Sequence, residues 1–217
     1  TSLWQRSLGM QWQGNFNETS IFRDPVSETE LFCASWAKEV ENPQCELVSR
    51  VMVQNRHFDF TRRSAVAENS DILRYCLRGT EAFPVGGIVE KTAERAIGRV
   101  KDPLAQAKAL YDWVVEHVDY EEKQNHPEIS MIEKLDNGSP GGNSAAISQL
   151  FVALCRSVGI PARPVFGLRI DRSQLFGSLG ASGNLSSAFH CRAEFYSPGY
   201  GWIPVDPSDV RRTMVRE

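Results

Sequence analysis

A chain of 217 residues with 41% hydrophobic and 24% charged side chains can bury a proper core, as one large or two small domains, and reads as an ordinary soluble globular protein. Its net charge of −3, without any long Lys/Arg cluster, argues against nucleic acid or an anionic membrane as the main partner. No apolar run reaches ~18 residues, so no transmembrane span is expected. No signal peptide opens the sequence, although a mature exported fragment would look the same.

Residues 1–85 read as β-rich. In the stretch QCELVSRVMVQ, Cys45, Leu47, Ser49, Val51 and Val53 share one parity and Glu46, Val48, Arg50, Met52 and Gln54 the other, which predicts a strand with at least one buried face. LWQRSLGMQWQGNF, HFDF and LRYCLR are further strand candidates. Trp4, Trp12, Phe16, Phe22, Phe32 and Trp36 are expected to fill the core of this region rather than bind a ligand. The five cysteines, Cys33, Cys45, Cys76, Cys155 and Cys191, lie far apart with no CxxC pair. That spacing is poor for zinc, and an odd count leaves at least one thiol unpaired.

FPVGG, at 83–87, is loop chemistry and marks the expected boundary between residues 1–85 and a second domain at 86–217. Two amphipathic helices follow. In the first, Ile88, Thr92, Ala96 and Val100 stack at helical spacing; the second opens with Asp102 as an acidic cap and Pro103 at the first helical position. YEEKQNHPEIS reads as loop, with His126 in solvent.

Gly141 to Arg163, GGNSAAISQLFVALCRSVGIPAR, predicts a buried central helix. Gly141 and Gly142 permit backbone conformations closed to other residues, Asn143 and Ser144 are both good N-caps, and apolar residues then run nearly all round the helix to Val158. Gly159 suits the C-terminal cap, and Pro161 forbids continuation. A side chain at the mouth of such a helix meets unpaired N–H groups and the positive end of the dipole, which favours a thiolate or oxyanion. Beyond it come a strand candidate in RPVFGLRI and a Gly/Ser-rich loop, DRSQLFGSLGASGNLSSA. Another strand in AFHCRAEFYS follows, then a PGYG turn and a strand in WIPVDPSDVRR that ends on an acid before a proline turn. A central helix followed by antiparallel strands makes the fold class α+β.

GGNSAAISQLFVALCRSVGIPAR, then His190 in FHCRAEFY, then Asp206 in GYGWIPVDPSDVR, resembles the transglutaminase-like superfamily, and within it the bacterial exported members. The likeness covers residues from about 85 to 217, including GIVEKTAERA and AKALYDWVVEHV. It implies a papain-like core, a central helix packed on an antiparallel sheet, preceded here by the β-rich segment. It also implies acyl transfer or amide hydrolysis on a peptide, amide or thioester held in a cleft, and a periplasmic or exported location. Aligned without a gap, the family's nucleophilic cysteine falls on Ser144, its histidine on His190 and its acid on Asp206. In such enzymes the cysteine attacks a carbonyl, the histidine takes and returns the proton, and the acid orients the imidazole.

The sequence departs from that pattern at three places: Ser144 replaces cysteine, Ala146 stands where relatives usually carry aspartate, and Ser148 where close relatives carry asparagine. Three polar changes within about a helical turn point to natural divergence rather than to a deliberate cysteine-to-serine change, which would alter the nucleophile alone. A serine hydroxyl is essentially un-ionised near neutrality and depends on concerted base catalysis, yet Ser/His/Asp triads exist. Three readings therefore stand together: an active Ser144–His190–Asp206 enzyme, a catalytically inactive binding or scaffold module in which Ser144 only caps its helix, and an engineered variant of a cysteine enzyme.

Other chemistry around the same stretch is weaker. His190, Cys191 and Glu194 do not form a metal site on a strand, because neighbouring side chains point to opposite faces; the same geometry turns Cys191 away as a displaced nucleophile. Arg163 and Arg192 are expected as partly buried ion-pair formers, Trp202 as a packing aromatic, and Ser173–Ala188 as either a substrate lid or an ordinary loop. No cofactor is implied, and neither a phosphate loop nor a dinucleotide fingerprint occurs.

Overall fold

The structure, a computed structural model, describes residues 5–24, 30–54, 58–63, 67–122, 130–169, 173, 176–179 and 188–216. Trp4, His57 and His126 lie outside these residues, as does most of the Ser173–Ala188 loop. The chain divides into two compact units, Thr1–Asp59 and Phe60–Glu217, so the FPVGG loop lies inside the second.

The first unit consists of two antiparallel pairs. Strand β1 (Gln5–Gly14) pairs with β4 (Cys45–Val53), and β2 (Glu18–Arg23) with β3 (Glu30–Ser35). A bulge between Ser7 and Gly9 breaks the β1–β4 register, and Gly9 takes a φ of 133° that a side chain would resist. Trp12 meets Phe32 in a tilted contact at 5.1 Å, and Phe16 makes edge contacts with Phe32 and Trp36 at 6.4 Å. Those aromatics are half-buried or, for Trp12, exposed, and Phe22 is exposed as well, so Trp12, Phe16, Phe32 and Trp36 form an open cluster rather than the closed core expected. Both parities of β4 are exposed too, against the buried face its alternation predicts. Alternation marks a strand's two faces but cannot supply the layer that covers one of them.

The second unit is built on helices and a three-stranded sheet. LRYCLR, a strand candidate by composition, is instead the end of helix α1 (Ser70–Tyr75) and its exit turn, the Asn69 side chain capping the first turn at Asp71 N–H. HFDF forms no strand over its described residues. Helix α2 (Ile88–Ile97) buries Val89, Thr92 and Ala93, and α3 (Pro103–His117) buries Ala107, Leu110, Val114 and Val115. Asp102 caps α3 through Ala105 N–H at 2.9 Å with Pro103 at the first position, as its sequence predicts. Strand β5 (Asp119–Tyr120) pairs in parallel with β6 (Gly141–Gly142). Between them α4 (Met131–Asp136) carries a full capping box, Ser130 with Glu133, whose S-x-x-E signal begins at the last residue of the segment expected as loop.

Helix α5 (Ser144–Ser157) is the centre of the unit. From Ala146 to Arg156 every residue but Gln149 is buried, as its near-continuous apolar circumference requires. It ends in a Schellman motif: Gly159 at φ 82° donates to Arg156 O at 3.1 Å and Ile160 N–H to Cys155 O at 2.9 Å, with Pro161 beyond. The sheet it packs on has the order β7 (Ala162–Leu168), β8 (Phe189–Ser197), β9 (Gly201–Val205), antiparallel throughout. Phe151, wholly buried, meets Tyr111 of α3 and Phe195 of β8 edge-on at 6.3 Å each and so ties three elements together. A central helix on an antiparallel sheet, preceded by β-pairs, is the expected α+β architecture. All five cysteines are free thiols. No helix among the described residues is long and apolar enough to cross a membrane.

Candidate functional site

The site begins at the β6–α5 junction. Gly141 and Gly142 are not in left-handed conformations, so the reason for glycine there is close approach. A Cβ on Gly142 would lie 2.7 Å from that of Ala146, and one on Gly141 would lie 2.5 Å from Glu121 Oε1. The helix cap is Asn143, whose Oδ1 accepts from Ala145 and Ala146 N–H at 3.1 Å each. Ser144 is therefore relieved of the capping role. It is the first residue of α5, half-buried, with the positive end of the helix behind it.

The other two expected site residues come together directly. His190 Nε2 donates to Asp206 Oδ2 at 2.5 Å. A carboxylate only accepts, so this bond places the ring proton on Nε2 and leaves Nδ1 as the basic nitrogen. Asp206 is itself held: its Oδ1 accepts from Ser208 Oγ at 2.8 Å and from Asp209 N–H at 3.0 Å, which makes it the N-cap of a further helix, α6 (Pro207–Arg216). The expected proline turn is thus a helix start. Asp-Pro-Ser-Asp repeats the cap, proline and first-turn acid logic already legible at Asp102-Pro103.

Ser144 is not joined to this pair by a hydrogen bond. Among the described residues its Oγ accepts from Cys191 N–H at 3.4 Å, one residue along the strand from His190. Ser148, wholly buried, donates to Cys191 O at 3.0 Å, so Ser144 and Ser148 of α5 both fasten to the backbone of β8 beside the histidine. Ala146 is buried and carries no polar group.

Two further residues enter that sequence reasoning passed over. The Arg169 guanidinium forms an ion pair with Asp209 and touches both nitrogens of the His190 ring, Nη2 lying 3.0 Å from Nδ1 and 3.1 Å from Nε2. Asp209 Oδ2 stands 3.8 Å from His190 Nε2. His190, Asp206 and Asp209 offer ligand atoms within 4.8 Å of one another, a spacing suited to a divalent cation, but the Arg169 guanidinium already sits against them as an internal cation. The set differs from the His190, Cys191 and Glu194 grouping set aside on strand geometry. Cys191 is 1% exposed and Glu194 turns to Arg163, whose Nη2 donates to it at 3.0 Å while the guanidinium lies 4.0 Å over the Trp202 ring. Trp202 also donates to Glu68 Oε2 at 2.8 Å, which makes it a packing residue that links β9 to the α1 region. Arg192, expected to be partly buried, is exposed.

Burial raises the Cys191 thiol from 9.0 to about 11, so it stays protonated at neutrality and is no substitute nucleophile. Because the folded value lies above that of the open chain, the contribution is complete below pH 9 and is lost as pH rises towards 11. The urea midpoint is expected to fall between pH 8.5 and about 11, less so in Cys191→Ala. Equal falls in both proteins would refute that assignment.

The model of the transglutaminase-like superfamily matches residues 90–207, more than half of the chain. The chain belongs to the transglutaminase-like superfamily. It is 28% identical over 232 residues to an uncharacterized protein of Haemophilus influenzae, covering 99% of this chain and 63% of that protein, so it spans under two thirds of that relative's length. Among solved structures, a candidate cysteine protease from Cytophaga hutchinsonii superposes with a TM-score of 0.68 at 18% identity, over 97% of this chain and 68% of that one. The periplasmic domain of TgpA from Pseudomonas aeruginosa gives 0.52 at 18% identity, over 92% and 63%. At that identity both likenesses concern the fold. The matched range takes in the β6–α5 junction, β8 and Asp206, and with them Ser144, Arg169 and His190, while Ser208 and Asp209 lie just beyond it.

Proposed function

We propose that this chain is an acyl-transfer or amide-hydrolysing domain of the transglutaminase-like superfamily, working with serine in place of the family's cysteine. The observation that carries the reading is the His190–Asp206 pair at 2.5 Å, its acid locked as the cap of α6 and its Nδ1 left basic. In the reaction Ser144 Oγ attacks the carbonyl carbon of a peptide, amide or thioester while His190 Nδ1 takes the hydroxyl proton. The proton passes to the leaving group as the carbonyl–heteroatom bond breaks, and water or an amine then releases the acyl-serine. The N-terminus of α5 favours the negative charge that develops beside it. Reaching Nδ1 requires Ser144 to leave Cys191 N–H, as catalytic hydrogen bonds are often unformed in a free enzyme. By its superfamily resemblance we place the protein in an exported or periplasmic setting.

A fluorophosphonate probe is expected to label the protein at Ser144 and not to label Ser144→Ala; a wild-type chain inert to the probe and without amidase or acyl-transfer activity overturns the reading. One observation favours a second reading, an inactive binding or scaffold module: the Ser144 hydroxyl engages β8 backbone rather than His190. Ser144→Cys separates the two and also addresses the reading as an engineered variant of a cysteine enzyme. A poised site gives a thiol that reacts with iodoacetamide well below the ordinary thiol range, while an idle one titrates near ~8.5.

A further inference from the structure

We propose that Arg169 is a positioning residue for His190, holding the plane of the imidazole by contact with its face; the proposal rests on the triad reading above. A donor lying in the ring plane and 3.0–3.1 Å from both nitrogens would overlap Cε1, so Nη2 sits over the face of the ring. Asp206 grips only the Nε2 edge, which by itself leaves the ring able to swing about that bond. Arg169 supplies the second constraint and is itself fixed at three points. Its backbone N–H donates to Ala188 O at 2.8 Å where β7 leaves the sheet, Nη1 donates to Leu179 O at 3.3 Å, and Nη2 pairs with Asp209. Asp209 N–H in turn holds Asp206 at 3.0 Å, so Arg169, Asp209, Asp206 and His190 form a closed cycle of contacts in which each member limits the next.

A flat guanidinium can lie on an imidazole and pair with a carboxylate at once. A lysine ammonium, a compact charge on a flexible stem, keeps the charge and loses the plate. The cycle also explains why the cation is acceptable beside a base that must gain a proton. Asp206 and Asp209 carry two negative charges against one on Arg169, so the formal sum reaches zero when His190 becomes imidazolium.

The test is nitrogen-resolved NMR of the His190 ring near neutral pH in the wild type, Arg169→Met, Arg169→Lys and Asp209→Asn, with fluorophosphonate labelling rates in parallel. The wild type is expected to show one tautomer, protonated at Nε2. Arg169→Met and Asp209→Asn are expected to show averaged nitrogen shifts and labelling slowed roughly 10- to 100-fold, with no rescue by Arg169→Lys. An unchanged ring spectrum in a folded Arg169→Met or Asp209→Asn protein overturns the proposal, as does full rescue by lysine. Should the wild type fail to label, the triad reading falls while the ring spectra still decide the role of Arg169. Asp209→Asn, which keeps the arginine and removes its anchor, serves if Arg169→Met does not fold.

Discussion

Asp206→Asn is expected to slow fluorophosphonate labelling of Ser144 by roughly 10³- to 10⁴-fold with little loss of stability. Asparagine is as good an N-cap as aspartate, so its carbonyl oxygen can keep Ser208 Oγ and Asp209 N–H and hold α6 in place. Its amide NH₂ then faces His190 Nε2, where a carboxylate oxygen stands at 2.5 Å in the native chain. A donor facing Nε2 demands a lone pair there and drives the ring proton to Nδ1, the nitrogen that must act as base. Asp206→Ala removes both roles and is expected to lose about 1 kcal/mol of stability besides the labelling. A labelling rate unchanged in Asp206→Asn would show that His190 does not act through this acid.

Phe151→Ala is expected to cost about 3–5 kcal/mol, read as a fall in the urea midpoint of the Phe60–Glu217 unit. The ring is wholly buried in α5 and meets Tyr111 and Phe195 edge-on, so truncation leaves a cavity at the junction of two helices and the sheet. Collapse into it is restrained, because α5 is fastened at both ends, by Asn143 at its start and by the Schellman turn at Gly159. A loss below about 1 kcal/mol would mean that the helix is free to shift into the space. The same substitution is expected to disturb the His190 ring, since α5 carries Ser144 and Ser148, both bonded to the backbone of Cys191.

Much of this was legible because local rules act alone where they act strongly. Asp102-Pro103 is a helix start whatever surrounds it, and a fourteen-residue helix apolar nearly all round has nowhere to lie but inside. LRYCLR and β4 show the reverse. A short run of mixed residues can pair as a strand or turn as a helix end, and an alternating strand gains a buried face only if another layer arrives. Ser130–Glu133 and Asp206–Asp209 were readable as helix starts and were masked by the loop-like company they keep.

The α+β class and the central helix with its exit turn are legible in the amino-acid sequence because each is written in a contiguous motif, whereas Ser144, His190 and Asp206 are candidates there through resemblance to a family. The tertiary structure decided which of two adjacent polar residues caps α5, giving that role to Asn143. It decided that Ser144 turns to Cys191 N–H, that Asp206 serves a helix and an imidazole together, and that Arg169 lies on the histidine ring. The reason is separation along the chain. Arg169 meets Asp209 and His190 across 40 and 21 positions, and only the pairing of β7 with β8 and the docking of α6 bring such distant groups within hydrogen-bond range.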